Sequence, residues 1–142
     1  MKQLGALQVG LEGAWFPSTH VGFGGRVTEG RWLLEQSGQD VAGFIDRLSA
    51  MGGLYASFPL NSSTYVGGKL LGGCSVQTGG RKEVRQLGLN TLEGATFGSG
   101  VLAGYTFRRN LDLRFQLDYD MVCSKQVTLH YLCPAIGLNF FF

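Results

Sequence analysis

The segment Asn110 to Val122 reads NLDLRFQLDYDMV. Leu111, Leu113, Phe115, Leu117, Tyr119 and Met121 alternate there with Asp112, Arg114, Gln116, Asp118 and Asp120. A period of two sends successive side chains to opposite faces of an extended chain, so one face of this strand is apolar and the other strongly polar. Strands in soluble folds usually run about 5–6 residues. This alternation lasts about twice as long, close to the roughly 9–11 residues that a tilted membrane strand needs. It predicts an all-β, antiparallel, up-and-down transmembrane β-barrel.

The same pattern recurs outward from this strand. Leu129 to Phe142 is its expected hairpin partner, with Leu132, Pro134, Ile136, Leu138, Phe140 and Phe142 on one parity. Tyr131, Cys133, Ala135, Gly137 and Asn139 fall on the other. Pro134 cannot donate a ladder hydrogen bond, which predicts a bulge or strand end there. Thr96 to Phe107 sets Phe97, Val101, Ala103, Tyr105 and Phe107 against mostly Gly and Thr. Tyr65 to Val76 sets Val66, Leu70, Cys74 and Val76 against Lys69 and Ser75. Gly52 to Leu60, His20 to Thr28 and Leu4 to Trp15 complete seven visible strands; the last two carry Arg26 and Glu12 on their polar parities.

The connections alternate in length: short at 16–19, 61–64 and 108–110, long at about 29–51 and 77–95, and moderate at about 123–128. Bacterial outer-membrane barrels alternate short periplasmic turns with longer extracellular loops in this way. Within 29–51, Val41, Phe44, Ile45 and Leu48 have helical spacing, so this stretch either holds a short helix or extends its flanking strands. Such barrels have even strand numbers with both termini periplasmic. An odd count therefore points to about eight or more strands in the complete barrel. Either one strand lies hidden within 29–51 or 79–92, or residues 1–142 are the C-terminal part of a longer single barrel domain.

The closing run Asn139-Phe140-Phe141-Phe142 resembles the terminal signature of outer-membrane barrels, with Phe140 and Phe142 placed as the signal that their assembly machinery reads. Other stretches extend the likeness: Gly13-Ala14-Trp15-Phe16-Pro17, Gly53 to Leu60, Gly67-Gly68-Lys69-Leu70-Leu71-Gly72-Gly73, and Gly98-Ser99-Gly100. On these patterns the chain resembles the outer-membrane β-barrel proteins of Bacteroidota. The resemblance implies an outer-membrane location, contact with its lipid and with the barrel-assembly machinery, and a transport, envelope-scaffold or surface-interaction role. It transfers no catalytic residue.

Composition agrees with a membrane barrel wall. Gly is 23 of 142 residues, about twice the usual share, and charged residues are only 15%. No run of about 18 apolar residues offers a transmembrane helix. The net charge of +2 and the lack of a basic cluster larger than Gly80-Arg81-Lys82 argue against nucleic acid. Cys74, Cys123 and Cys133 lack metal-ligand spacing, although a Cys123–Cys133 bridge is conceivable if their strands pair.

The polar parities gather Glu12, Arg26, Lys69, Asp112, Arg114, Asp118 and Asp120 as candidate lumen-lining charges. In a wide barrel they would form a selectivity lining; in one of about eight strands, side chains fill the interior and pair as a plug. Neither a cofactor nor an enzyme is expected. His20 and His130 fall at opposite ends of the barrel, Ser124 lies in no GxSxG motif, and GGKLLGG lacks the phosphate-loop form. The competing reading is a soluble lipocalin-like barrel, apolar inside, that binds a small apolar ligand. Aromatics favour the membrane: Trp15, Phe16, Tyr65, Tyr105, Phe107, Phe140 and Phe142 gather toward the periplasmic strand ends, and Tyr119 and Tyr131 toward the other rim.

Overall fold

The computed structural model describes residues 2–36, 39–79, 91–125 and 128–140, with side chains placed for 7–32, 44–79, 93–125 and 128–140. Among the described residues seven strands follow one another: β1 Lys2–Trp15, β2 Val21–Gln36, β3 Gln39–Pro59, β4 Thr64–Gly79, β5 Thr91–Arg108, β6 Leu111–Cys123 and β7 Thr128–Phe140. Each pairs antiparallel with its neighbour in sequence, giving one sheet in the order β1 to β7. The sheet curls into a half-barrel. β1 and β7 are its edges and do not hydrogen-bond to each other.

The expected faces hold along the ladders, and the curl decides which is inside. Charged and hydroxyl side chains line the concave face: Arg26, Lys69, Asp112, Asp118 and Asp120 are buried with Ser49, Ser75 and Thr96. Apolar side chains line the convex face: Leu11 is 83% exposed, and Phe23, Leu54, Leu70, Val101, Phe115 and Ile136 stand out beside it. Met51, Tyr55 and Leu71 form a buried apolar cluster on the same concave face.

One alternative is decided and two expectations change. The segment 29–51 contains no helix among its described residues. β2 and β3 lengthen into a ladder in which Arg31 faces Asp46 and Trp32 faces Ile45. The helical spacing misled because this hairpin rises past the apolar band, where the outward side chains become Glu29, Arg31 and Asp46. Pro134 neither bulges nor ends β7: it sits opposite Leu117 in an unshifted register, and an edge strand tolerates its missing donor. Cys123 pairs with Thr128 while Cys133 pairs with Asp118, so the two thiols lie well apart along the ladder and all three cysteines are free.

Lengths support a tilted wall. At roughly 3.3 Å per residue, a strand as long as β6 (13 residues) spans about 43 Å. Tilted by about 40°, as barrel strands are, it rises about 33 Å. β3, at 21 residues, is the longest of the described strands.

Candidate functional site

The interior is a set of paired charges in three tiers. In the middle tier Arg26 on β2 reaches across to β6, donating to Asp118 Oδ2 at 2.5 Å and Asp120 Oδ1 at 2.7 Å. Asp120 Oδ2 also accepts from Arg47 Nη2 at 3.0 Å. Lys69 on β4 donates to Glu12 Oε2 on β1 at 2.8 Å and forms an ion pair with Asp118 Oδ1 at 3.0 Å. Arg114 completes the ring, donating to Glu12 Oε1 at 3.2 Å.

The upper tier is aromatic. Trp32 and Tyr131 pack with ring centroids 4.9 Å apart, and the Arg47 guanidinium lies over the Tyr131 ring at 4.6 Å. Tyr131 donates to Gln77 Oε1 at 3.0 Å. In the lower tier Tyr65 donates to Asp112, and Asn139 Nδ2 donates to the Tyr65 hydroxyl at 3.3 Å.

All seven candidate charges therefore point inward. Six of them join one network, while Asp112 stands below it with Tyr65 and Asn139. Arg26, Arg47, Lys69 and Arg114 balance Glu12, Asp112, Asp118 and Asp120. Each such charge would cost several kcal/mol to bury alone, and removing one partner of a buried pair typically costs about 3–5 kcal/mol. The curl brings the ion-paired charges together from opposite walls of the concave face, while Asp112 has Tyr65 and Asn139 as its hydrogen-bond donors.

Space for this comes from glycine on β5. Gly100 faces Lys69 on one side and Asp118 on the other in the ladders. A Cβ at Gly100 would lie 2.2 Å from Asp118 Oδ1 and 2.9 Å from Lys69 Cε. At Gly104 it would lie 2.1 Å from the Tyr65 ring. The inward face of β5 is thus a floor on which the long side chains of β4 and β6 lie.

Arg47 was not among the sequence candidates. Its signal was the run Ile45, Arg47, Ser49 and Met51, alternate and all buried, inside the segment taken for a long connection. Tyr65 and Tyr131 belong to the interior and not to aromatic rims. Trp15, Phe16, Tyr105, Phe107 and Phe140 are exposed near the lower strand ends, joined by Phe58. Tyr119 faces out near the upper end, its hydroxyl 2.6 Å from His130 Nδ1. Phe142 lies outside the described residues.

On the convex face the described strands carry no Asp, Glu, Lys or Arg between the lower aromatic ring and the level of Glu29, Asp46 and Glu93. Above that level Arg31 and Asp46 pair at 2.6 Å in the open. The hydrogen bonds and negative charge of Asp46 raise the Arg31 pKa further, so this rim cation stays charged.

Between the edges runs a slot that opens into a cavity of about 1400 Å³, walled by Leu7 to Ala14 of β1 and Leu132 to Phe140 of β7. Among the described residues no cluster of His, Cys, Asp or Glu has metal-binding geometry. No protein-family model matches this chain, and no curated protein matches it in sequence. The geometry is what speaks to function.

Proposed function

We propose that this chain forms the wall of an outer-membrane β-barrel, of the kind it resembles in Bacteroidota, with an envelope-scaffold or surface-interaction role. The observation that carries the reading is the inverted polarity of the curled sheet. Its charges pair inside, and its outer band presents Leu, Val, Phe and Gly without a charged side chain. Exposed apolar patches on soluble monomers rarely exceed a few hundred Å². A band running along seven strands is suited instead to lipid, and the lower aromatic ring to an interface.

The ion-paired interior favours scaffold and surface roles over a wide solute pore. Side chains cross the concave space in the middle and upper tiers, as expected for a barrel of about eight strands. Phe140, outward at the end of β7, is then the described part of the signal offered to the assembly machinery. The lipocalin-like alternative needs the apolar face inside to hold its ligand, and the cavity lining here mixes Arg114, Asp118, Tyr55 and Tyr65 with apolar edge residues.

The test is gel mobility of the unboiled chain after refolding in detergent and, separately, in buffer alone. A compact, heat-modifiable band that appears only with detergent supports the membrane reading. A soluble monomer rich in β structure without detergent contradicts it.

A further inference from the structure

On the outer face of β7 the apolar run ends at Leu132, and the next outward side chain above it is His130. Phe140, in the lower aromatic ring, lies ten residues beyond His130 on the same strand. At roughly 3.3 Å per residue that is about 33 Å of strand. Tilted by about 40°, it rises about 25 Å, the height of the apolar band of a membrane barrel. His130 therefore stands where hydrocarbon gives way to headgroups on the upper side.

The imidazole is held in place there. Tyr119 on β6 is the first outward side chain above Leu117, and its hydroxyl lies 2.6 Å from His130 Nδ1. The two rings stack with centroids 5.9 Å apart. When the hydroxyl donates to Nδ1, the ring proton resides on Nε2, and protonating the ring keeps a donor there. His130 Nε2 has no partner among the described residues, and both side chains are exposed. Lys125, exposed in the turn that joins β6 to β7, adds a cation at the same corner. Glu93, an outward acid two strands away on β5, pairs with no described cation.

We propose that the His130–Tyr119 pair binds the phosphate of a lipid headgroup in the upper leaflet. His130 Nε2–H donates to a phosphate oxygen, and Lys125 supplies supporting charge; such charge-assisted bonds are among the stronger ones. A ring already fixed by Tyr119 loses little freedom on binding. The proposal rests on the membrane reading, because only in a bilayer does this corner meet headgroups.

The test reads the histidines directly by nuclear magnetic resonance. The sequence holds two, and His20 sits beside Phe58 at the lower rim, so it serves as an internal control. The chain, with isotope-labelled histidine and no histidine tag, is refolded in neutral maltoside micelles. At fixed pH, dioleoyl phosphatidic acid is titrated in, with dioleoylglycerol and inorganic phosphate in separate samples. The expected result is a proton on His130 Nε2 and a saturable shift of the His130 resonances with phosphatidic acid alone. His20 stays in place. His130→Phe identifies the resonances, and Tyr119→Phe weakens the apparent affinity roughly two- to tenfold, the worth of one hydrogen bond.

Equal shifts of both histidines, no shift at all, or a proton on Nδ1 alone overturns the proposal. A shift as large with dioleoylglycerol or inorganic phosphate overturns it as well. So does a His130 shift that follows protein concentration without lipid, which would assign the corner to a second copy. A detergent-dependent, heat-modifiable chain whose His130 ignores phosphatidic acid defeats the headgroup site alone. A chain that folds in buffer without detergent defeats the membrane reading first.

Discussion

Lys69 and Asp118 lie on strands separated by β5, and their charged atoms meet at 3.0 Å above Gly100. One residue without a side chain lets the two charges join, and through Glu12 and Arg26 they link β1, β2, β4 and β6. Gly100→Ala is therefore predicted to force the pair apart and destabilise the folded state by about 1–3 kcal/mol, the usual cost of overpacking. Gly72, whose Cβ would meet nothing within 4 Å, is the control: Gly72→Ala should be tolerated. Denaturant titration of the refolded variants in detergent reads both.

Asp120 is fully buried and holds two guanidinium groups, those of Arg26 and Arg47. Asp120→Asn takes the acidic partner from Arg47 and leaves Arg26 with Asp118 alone inside the sheet. Its expected cost is about 3–5 kcal/mol. Asp46→Asn removes the partner of exposed Arg31 and should cost less than about 1 kcal/mol. The same titration compares them, and near-equal losses would contradict the network.

Leu117 lies midway along β6 and faces outward. In a bilayer, Leu117→Arg should destabilise the inserted state by about 2–4 kcal/mol, because the charge sits near the midplane. A protein with this face in water would accept the substitution with little change. Folding into lipid vesicles, followed by the heat-modifiable band, distinguishes these outcomes.

Cys74 is exposed on the outer face of β4, whereas Cys133 is buried on the inner face of β7. In vesicles, a membrane-permeant maleimide should label Cys74 and a charged one should not. Labelling of Cys74 by both reagents would place that face in water.

Much of this arrangement was legible in the sequence because a strand's two faces are written directly into residue parity. The alternation from Leu111 to Val122 assigned Asp112, Arg114, Asp118 and Asp120 to one face without knowledge of the curl. What parity does not carry is the sign of curvature, so the inward turn of the charged face needed the three-dimensional structure. Arg47 escaped because the pattern reverses near the top of the apolar band: Trp32 and Ile45 point inward there while Arg31 and Asp46 point outward. Tyr65 and Tyr131 were misplaced for a related reason. Aromatic residues favour strands on either face, and only the glycine at position 104 and the acceptor Gln77 explain why these two fit inside.

The most direct test of the central claim is a spin-label scan of the outer face of β6, at Leu113, Phe115, Leu117 and Tyr119, in refolded vesicles. The account predicts collisions with lipid-soluble oxygen that are greatest near Leu117, with little access for a water-soluble nickel complex. Strong nickel access at all four positions would put the apolar face in water and contradict the membrane barrel.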